Sequence, residues 1–363
     1  MKKYLNYIKN NKKIATIGIA IIALAVICIL VGVKVSLNNK ENAEKYKGDK
    51  VITFADEKFE KAIRKEINKY TGKIYESDLA NVYTLNLSES KIENIDGIQY
   101  FTSLTDLDLS KNRIANIEPL KELSYIKILN LSSNQIEDVN PLSNLKNILD
   151  LDLSYNSIRS VEALGKIQSV ISLNIARNNI SNVMSLSELK NLKILNMANN
   201  RITKVDDLAK MTELVNLDIS NNSIMNLKGI ENLLYLNELK ANGNGIEEIN
   251  SLKNIEYLQI LELSNNNLSN LSFIKDNINL QSLTVSYNDI SDLNDISKLE
   301  NLEKINIRYT NIENIDLLVK LPSLNELYID DRIDRAPLED MKTRFKNADT
   351  KTKEFFINNI YNK

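Results

Sequence analysis

The residues best equipped for chemistry in this chain are carboxylates and amides. Asp106-Leu107-Asp108 and Asp150-Leu151-Asp152 each set two carboxylates two residues apart, which puts both on one face of a strand. Paired carboxylates are the equipment of glycoside hydrolysis, but that chemistry needs one carboxyl kept protonated by burial. An open, solvated strand face supplies no such burial, so catalysis is not expected there. Neither pair is followed by the glycine and distal glutamate of a calcium loop. The chain has no histidine, which removes Ser-His-Asp and Cys-His nucleophiles and histidine-containing zinc sites. Its one cysteine, Cys28, allows neither an intrachain disulfide nor a thiolate cluster. Among nine glycines, the nearest approach to a phosphate-cradling loop is Gly243-Asn244-Gly245, which has Glu248 where a third glycine belongs. The expectation is a non-catalytic protein with no metal and no cofactor.

Charge divides the chain. Residues 1–50 hold ten lysines against three acids, while residues 51–363 hold 36 basic and 45 acidic residues. A nucleic-acid partner would call for positive charge on the folded part, so none is expected. Ile14 to Val33 is a run of 20 uncharged, mostly apolar residues, long enough as a helix to span a bilayer core of about 30 Å. It exceeds the apolar stretch of a cleaved signal, and Val33-Lys34-Val35-Ser36 makes a poor cleavage site. A lipid-modified Cys28 is disfavoured by Ile27 before it and by its depth in the run. The reading is an uncleaved transmembrane signal anchor at 14–33. Five lysines stand on each side and do not decide orientation; the short cationic tail 1–13 is placed in the cytoplasm and the long remainder outside. Residues 34–50 read as a flexible linker, polar apart from Leu37 and Tyr46.

The elements beyond it follow a clock. Asn112, Asn134, Asn156, Asn178, Asn200, Asn222, Asn244, Asn266 and Asn288 recur at one constant interval without a slip, and Ser90, Thr310 and Arg332 extend the series. Apolar pairs precede the marks, as in Leu107/Leu109 and Leu129/Leu131, and apolar residues follow, as in Ile114, Ile117, Leu120 and Leu123. The first spacing suits one face of a short strand, the second a tight helical or 3₁₀ return. A single copy cannot bury its apolar edge, whereas stacked copies share a continuous core. The expected architecture is an α/β solenoid over residues 82–332. It has twelve strands in one parallel sheet, roughly 50 Å long at about 4.8 Å per strand, and the asparagines form a ladder at the strand exits. In residues 51–81, Phe59, Ala62, Ile63, Ile67 and Tyr70 form one helical stripe, with Asp56 as N-cap and Gly72 as stop. Residues 333–363 read as a C-terminal helical cap or tail. Asn277 takes an apolar position, leaving two accommodations open: Ile278 turning inward, or an irregular loop.

This pattern resembles the 22-residue leucine-rich repeats of bacterial internalins, over about residues 51–332. The resemblance implies a parallel sheet on a concave face and a helical N-terminal cap. The immunoglobulin-like domain and wall-sorting signal found in pathogen internalins are not present in the sequence, so their receptors are not carried over.

On the expected concave face, Asp106, Asp108, Asp150, Asp152 and Asp218 stand among asparagines. A polar, solvated repeat face is the preferred reading; a dock for a basic partner or a weak cation site is the alternative. Tyr287, Arg308, Tyr309 and Tyr328, with Lys304 nearby, have the composition of a binding hot spot, while Tyr155 stands alone. The resulting reading is a surface-exposed, membrane-anchored protein of a low-GC Gram-positive bacterium that binds a protein ligand, or a cell-wall or host glycan. The rival is a cytoplasm-facing tethered scaffold resembling leucine-rich phosphatase regulators.

Overall fold

A computed structural model describes residues 48–330, except 248 and 314. The tail 1–13, the apolar run 14–33, most of the linker, the mark Arg332 and the C-terminal segment 333–363 lie outside the described residues. Among the described residues, no helix is long and apolar enough to cross a membrane.

The chain enters through strand β1 (Val51–Ile52), helix α1 (Glu57–Glu66), strand β2 (Ile74–Tyr75) and a single helical turn, α2 (Glu76–Leu79). β1 and β2 pair antiparallel. The Asp56 carboxylate accepts hydrogen bonds from the Lys58 and Phe59 backbone N–H groups, filling donors that a helix start leaves open. Its second oxygen accepts from the backbone of Glu93 and Asn94, so one side chain caps α1 and ties it to the first repeat. Phe59 and Ile63 are fully buried. The helix ends at Glu66, earlier than the Gly72 signal suggested, because Asn68 takes the left-handed conformation (φ 55°). Arg64 then holds the loop by donating to the carbonyls of Lys69 and Gly72. Tyr70 consequently leaves the buried stripe and is 68% exposed.

Twelve three-residue strands follow, β3 (Thr84–Asn86) to β14 (Glu326–Tyr328), and form one parallel sheet in strict chain order. Every pair is in the register of one repeat, for example Leu85 with Leu107 and Leu107 with Leu129. The central residue of each strand is buried and its neighbours face outward, the period-2 pattern of a half-buried sheet. Among the described residues, ten 3₁₀ segments make up the returns, from Ile98–Tyr100 to Leu318–Lys320. Equal repeat lengths bring each return against the next. At Gly165 the packing is so close that an added Cβ would lie 2.3 Å from the Ser185 carbonyl oxygen.

The marking asparagines lie between consecutive strand exits. Asn178 is typical: its Nδ2 donates to the carbonyls of Leu153, Ile175 and Ala176, and its Oδ1 accepts from the Ile158 N–H. The same bonds recur at the other eight, Asn112 to Asn288, and each amide joins its own turn to that of the preceding repeat. A second set of amides, Asn147, Asn191, Asn279 and Asn301, donates to carbonyls of the preceding repeat at the strand entrances.

Asn277 resolves differently from the first accommodation. Ile278 does not turn inward; it is 53% exposed, while Asn277 is 1% exposed. Its Nδ2 donates to the Leu252 and Ile255 carbonyls. Its Oδ1 is the buried side-chain polar atom without a hydrogen-bond partner among the described residues.

Candidate functional site

The open face of the sheet displays two side chains per strand, and each strand then exits through a turn. In the exit turn, the residue just before the asparagine mark has a positive φ in every repeat described: Glu89, Lys111, Ser133, Tyr155, Arg177, Asn199, Asn221, Gly243, Asn265, Tyr287 and Tyr309. Glycine and asparagine visit this left-handed region readily, whereas other L-residues pay about 1–2 kcal/mol. Four adjacent repeats in the middle use Asn or Gly here. Tyrosine occupies it on either side.

At the C-terminal side, Tyr287 and Tyr309 are 54% and 55% exposed and stack at 4.4 Å, with 21° between ring planes. Desolvation, with Tyr309 alongside, raises the pKa of the Tyr287 phenol above its ordinary value. The Arg308 guanidinium and the Lys304 ammonium each lie 5.3 Å from the Tyr328 ring centre, within cation–π range. Arg308 also donates through Nε to the Ile329 carbonyl, and Lys304 pairs with Glu326 at 3.4 Å. The structure therefore brings Tyr287 and Tyr309 together, and Lys304, Arg308 and Tyr328 together, on adjoining strands. Tyr155 is not solitary: the Arg177 guanidinium of the next repeat lies 4.8 Å from its ring centre. Six repeats separate Tyr155 from Tyr287, about 29 Å along the sheet.

The aspartates are placed otherwise. Asp108, Asp152 and Asp218 each accept the backbone N–H two residues on, at 2.8–2.9 Å. Asn86, Asn130, Asn174, Asn196 and Asn306 make the same bond. This local bond needs a short side chain bearing a carbonyl or carboxylate oxygen. It accounts for a column confined to Asn and Asp from Asn86 to Asp218, a signal that could have been read from that restriction. Asp106 accepts from the Thr105 hydroxyl at 2.6 Å. Asp150 is the electrostatically perturbed member: burial, and then the charge of Asp152, push its carboxyl up, while a Ser172 hydrogen bond opposes them. A carboxyl raised in the fold favours folding when protonated and opposes it when ionised, so its stability contribution is lost as pH rises. Asp150→Asn should therefore raise the unfolding free energy measured by denaturant at pH 7, by about 0.5 kcal/mol. The gain should vanish below about pH 4, where the aspartate itself is neutral. No group of three or more potential ligands is placed to hold a metal among the described residues.

Comparison with known proteins bears on this geometry. The family described as Leucine Rich repeats (2 copies) matches residues 168–210, and the single Leucine Rich repeat matches 102–116, 122–139 and 276–293. An internalin, InlF, from Listeria monocytogenes superposes with a TM-score of 0.69 at 26% identity, over 79% of this chain and 93% of that one. The chain is an internalin-like leucine-rich repeat protein. A second internalin-like match is the functional domain of InlJ from Listeria monocytogenes, with a TM-score of 0.71 at 25% identity, covering 78% of this chain and 62% of that one. That domain includes a cysteine ladder; the described residues of the present internalin-like chain contain no cysteine, and their ladder is asparagine. A plant peptide hormone receptor, RGFR1, in complex with RGF2 shares the fold, with a TM-score of 0.57 at 21% identity over 70% of this chain and 49% of that one. No curated protein matches the chain by sequence.

Proposed function

We propose that the chain is a non-catalytic binding protein, held in the cytoplasmic membrane by residues 14–33 with residues 34–363 outside, that takes a protein ligand on the concave face of its sheet. The observation that carries this reading is the placement of Tyr155, Tyr287 and Tyr309. Each is more than half exposed and each holds a positive φ, where asparagine or glycine would relieve the backbone. Neither burial nor backbone preference accounts for an aromatic there, and conformationally costly residues gather where function requires them. Exposed tyrosines beside arginine have the composition of protein-binding hot spots. The likeness to internalins supports the reading, since that fold is typically a non-catalytic binding scaffold. In this scheme Tyr287, Tyr309, Tyr328, Arg308 and Lys304 supply most of the affinity. Asp106, Asp108, Asp150, Asp152 and Asp218 give the N-terminal half a negative field that steers a basic region of the ligand.

Wall-stripped intact cells test both parts of the proposal. Added protease should digest the repeats, and the full chain should capture from envelope extracts a protein that a Tyr287→Asn/Tyr309→Asn variant does not hold. Protection of the repeats until lysis would place them in the cytoplasm and favour a tethered internal scaffold. Equal capture by the wild type and the variant would remove the tyrosines from the site.

A further inference from the structure

We propose that the end of the solenoid built by α1 and the first repeat is a contact surface for anionic lipid headgroups, which orients the repeats relative to the bilayer. Residues 57–73 carry six basic and three acidic side chains. Several of these charges are satisfied locally: Lys58 with Glu93, Arg64 with Glu60 and Lys69 with Asp78, and in the first repeats Lys111 with Glu89. Lys61, Lys65, Lys73 and Lys91 are exposed and have no such acid partner among the described residues. Lys61, Lys65 and Lys91 line one cleft with Tyr70, the most exposed of the large apolar side chains described. Of the acids in that cleft, Glu60 and Glu89 are already paired, which leaves Glu57. A lysine cluster beside an exposed tyrosine suits a headgroup layer, where ammonium groups meet lipid phosphates and the ring sits at the interface.

Two further facts choose a lipid surface as the occupant. The apolar run ends at Val33 and the described chain begins at Gly48, a separation of fifteen residues that reaches at most about 50 Å when fully extended. On the anchor reading, on which this inference rests, α1 is thus confined near the bilayer. The rest of the solenoid is of opposite sign, with 22 basic and 33 acidic residues over 82–330. An anionic surface attracts the lysine end and repels the remainder, and both effects fade within about 10 Å at 0.1 M salt. This polarity holds the open face of the sheet away from the headgroups, where a ligand can reach it.

The test uses the full chain with Cys28→Ala and Thr71→Cys, labelled with an environment-sensitive dye. It is reconstituted into vesicles of pure phosphatidylcholine, or of two parts phosphatidylcholine to one part phosphatidylglycerol. Quenching by neutral aqueous acrylamide should be about threefold weaker in the anionic vesicles at low salt, and equal to that in pure phosphatidylcholine at about 0.5 M salt. Reversing Lys61, Lys65 and Lys73 to Glu should restore full quenching, since each lysine is worth about fivefold in the docked population. A dye at Asn325→Cys, at the far end, should be quenched equally in both vesicles. Equal quenching at position 71 in both lipids, with the chain still floating with vesicles after an alkaline wash, would overturn the lipid contact and leave the anchor standing. Loss of flotation after that wash, with salt-sensitive binding to anionic vesicles alone, would keep the contact and overturn the anchor. Binding to neither would overturn both. Protection by soluble poly(glycerol phosphate) in pure phosphatidylcholine vesicles would reassign the surface to an anionic polymer and overturn the lipid assignment.

Discussion

Asn178→Leu is expected to cost about 3 kcal/mol of stability, while Asn277→Leu, the same substitution at another interior position, is expected to gain about 1 kcal/mol. The difference follows from what each amide leaves behind. Removing the Asn178 amide deletes four hydrogen bonds. Three of them end on carbonyls that keep another donor. Leu153 O retains Asn156, Ile175 O retains Asn200, and Ala176 O retains the Tyr155 N–H. The fourth is the Ile158 N–H, which loses its side-chain acceptor in the buried turn. An orphaned buried donor costs about 1–3 kcal/mol, and each lost bond adds roughly 0.5–1.5. Leucine also brings bulk into a turn shaped around a planar amide.

At Asn277 the balance reverses. Leu252 O and Ile255 O each accept a backbone N–H as well as the Asn277 amide, so leucine orphans neither. It also removes the unpartnered Oδ1 and restores the apolar residue that the repeat carries at the equivalent positions Ile255 and Leu299. Denaturant midpoints measured on the two variants decide the matter. Shifts of the same sign would show that the interior asparagines are interchangeable and that the ladder bonds contribute little.

The two asparagines also mark how far the sequence could be read. The solenoid was legible because its period is a length constraint: copies of equal length align strands in register whatever the surface carries. The aspartate column was harder to interpret. Asp108 and Asp152 look like free carboxylates when each is read alone; only the restriction of their whole column to Asn and Asp hints at the bond each accepts from the backbone two residues on. The tyrosines were legible by type but not by conformation. Nothing in the order Ser286-Tyr287-Asn288 announces a positive φ at the middle residue, since that angle is imposed by the turn that the neighbouring repeats share. The pairing of Tyr155 is hidden for a related reason, because its partner Arg177 lies one full repeat away and meets it only through stacking. In α1 the glycine signal misplaced the helix end, since Asn68 can adopt the left-handed conformation as well.

The largest effect on binding is expected at Tyr309, and its backbone conformation makes the experiment clean. Alanine there would remove the ring but keep the left-handed cost, so a loss of binding could be confused with a loss of stability. Asparagine removes the ring and accepts the conformation. Tyr309→Asn forfeits its stack on Tyr287, worth about 0.5–1.5 kcal/mol, and recovers a backbone term of similar size. The two should nearly cancel, leaving the unfolding free energy within about 0.5 kcal/mol of wild type. Affinity for the captured ligand should nevertheless fall by about 2 kcal/mol, roughly thirtyfold, if Tyr309 is a hot spot. The loss should appear in the dissociation rate, because a rigid aromatic anchor acts after encounter. Substituting Asp106 and Asp150 with Asn should instead slow association, and chiefly at low salt, because neither makes the backbone bond of Asp108 and Asp152 and the charges of these half-buried side chains act on a ligand mainly through steering. Tyr309→Asn binding with wild-type kinetics would mean that the strain in this column serves something other than the ligand. A dissociation rate that rises only in proportion to lost stability would assign the stacked tyrosines to the fold.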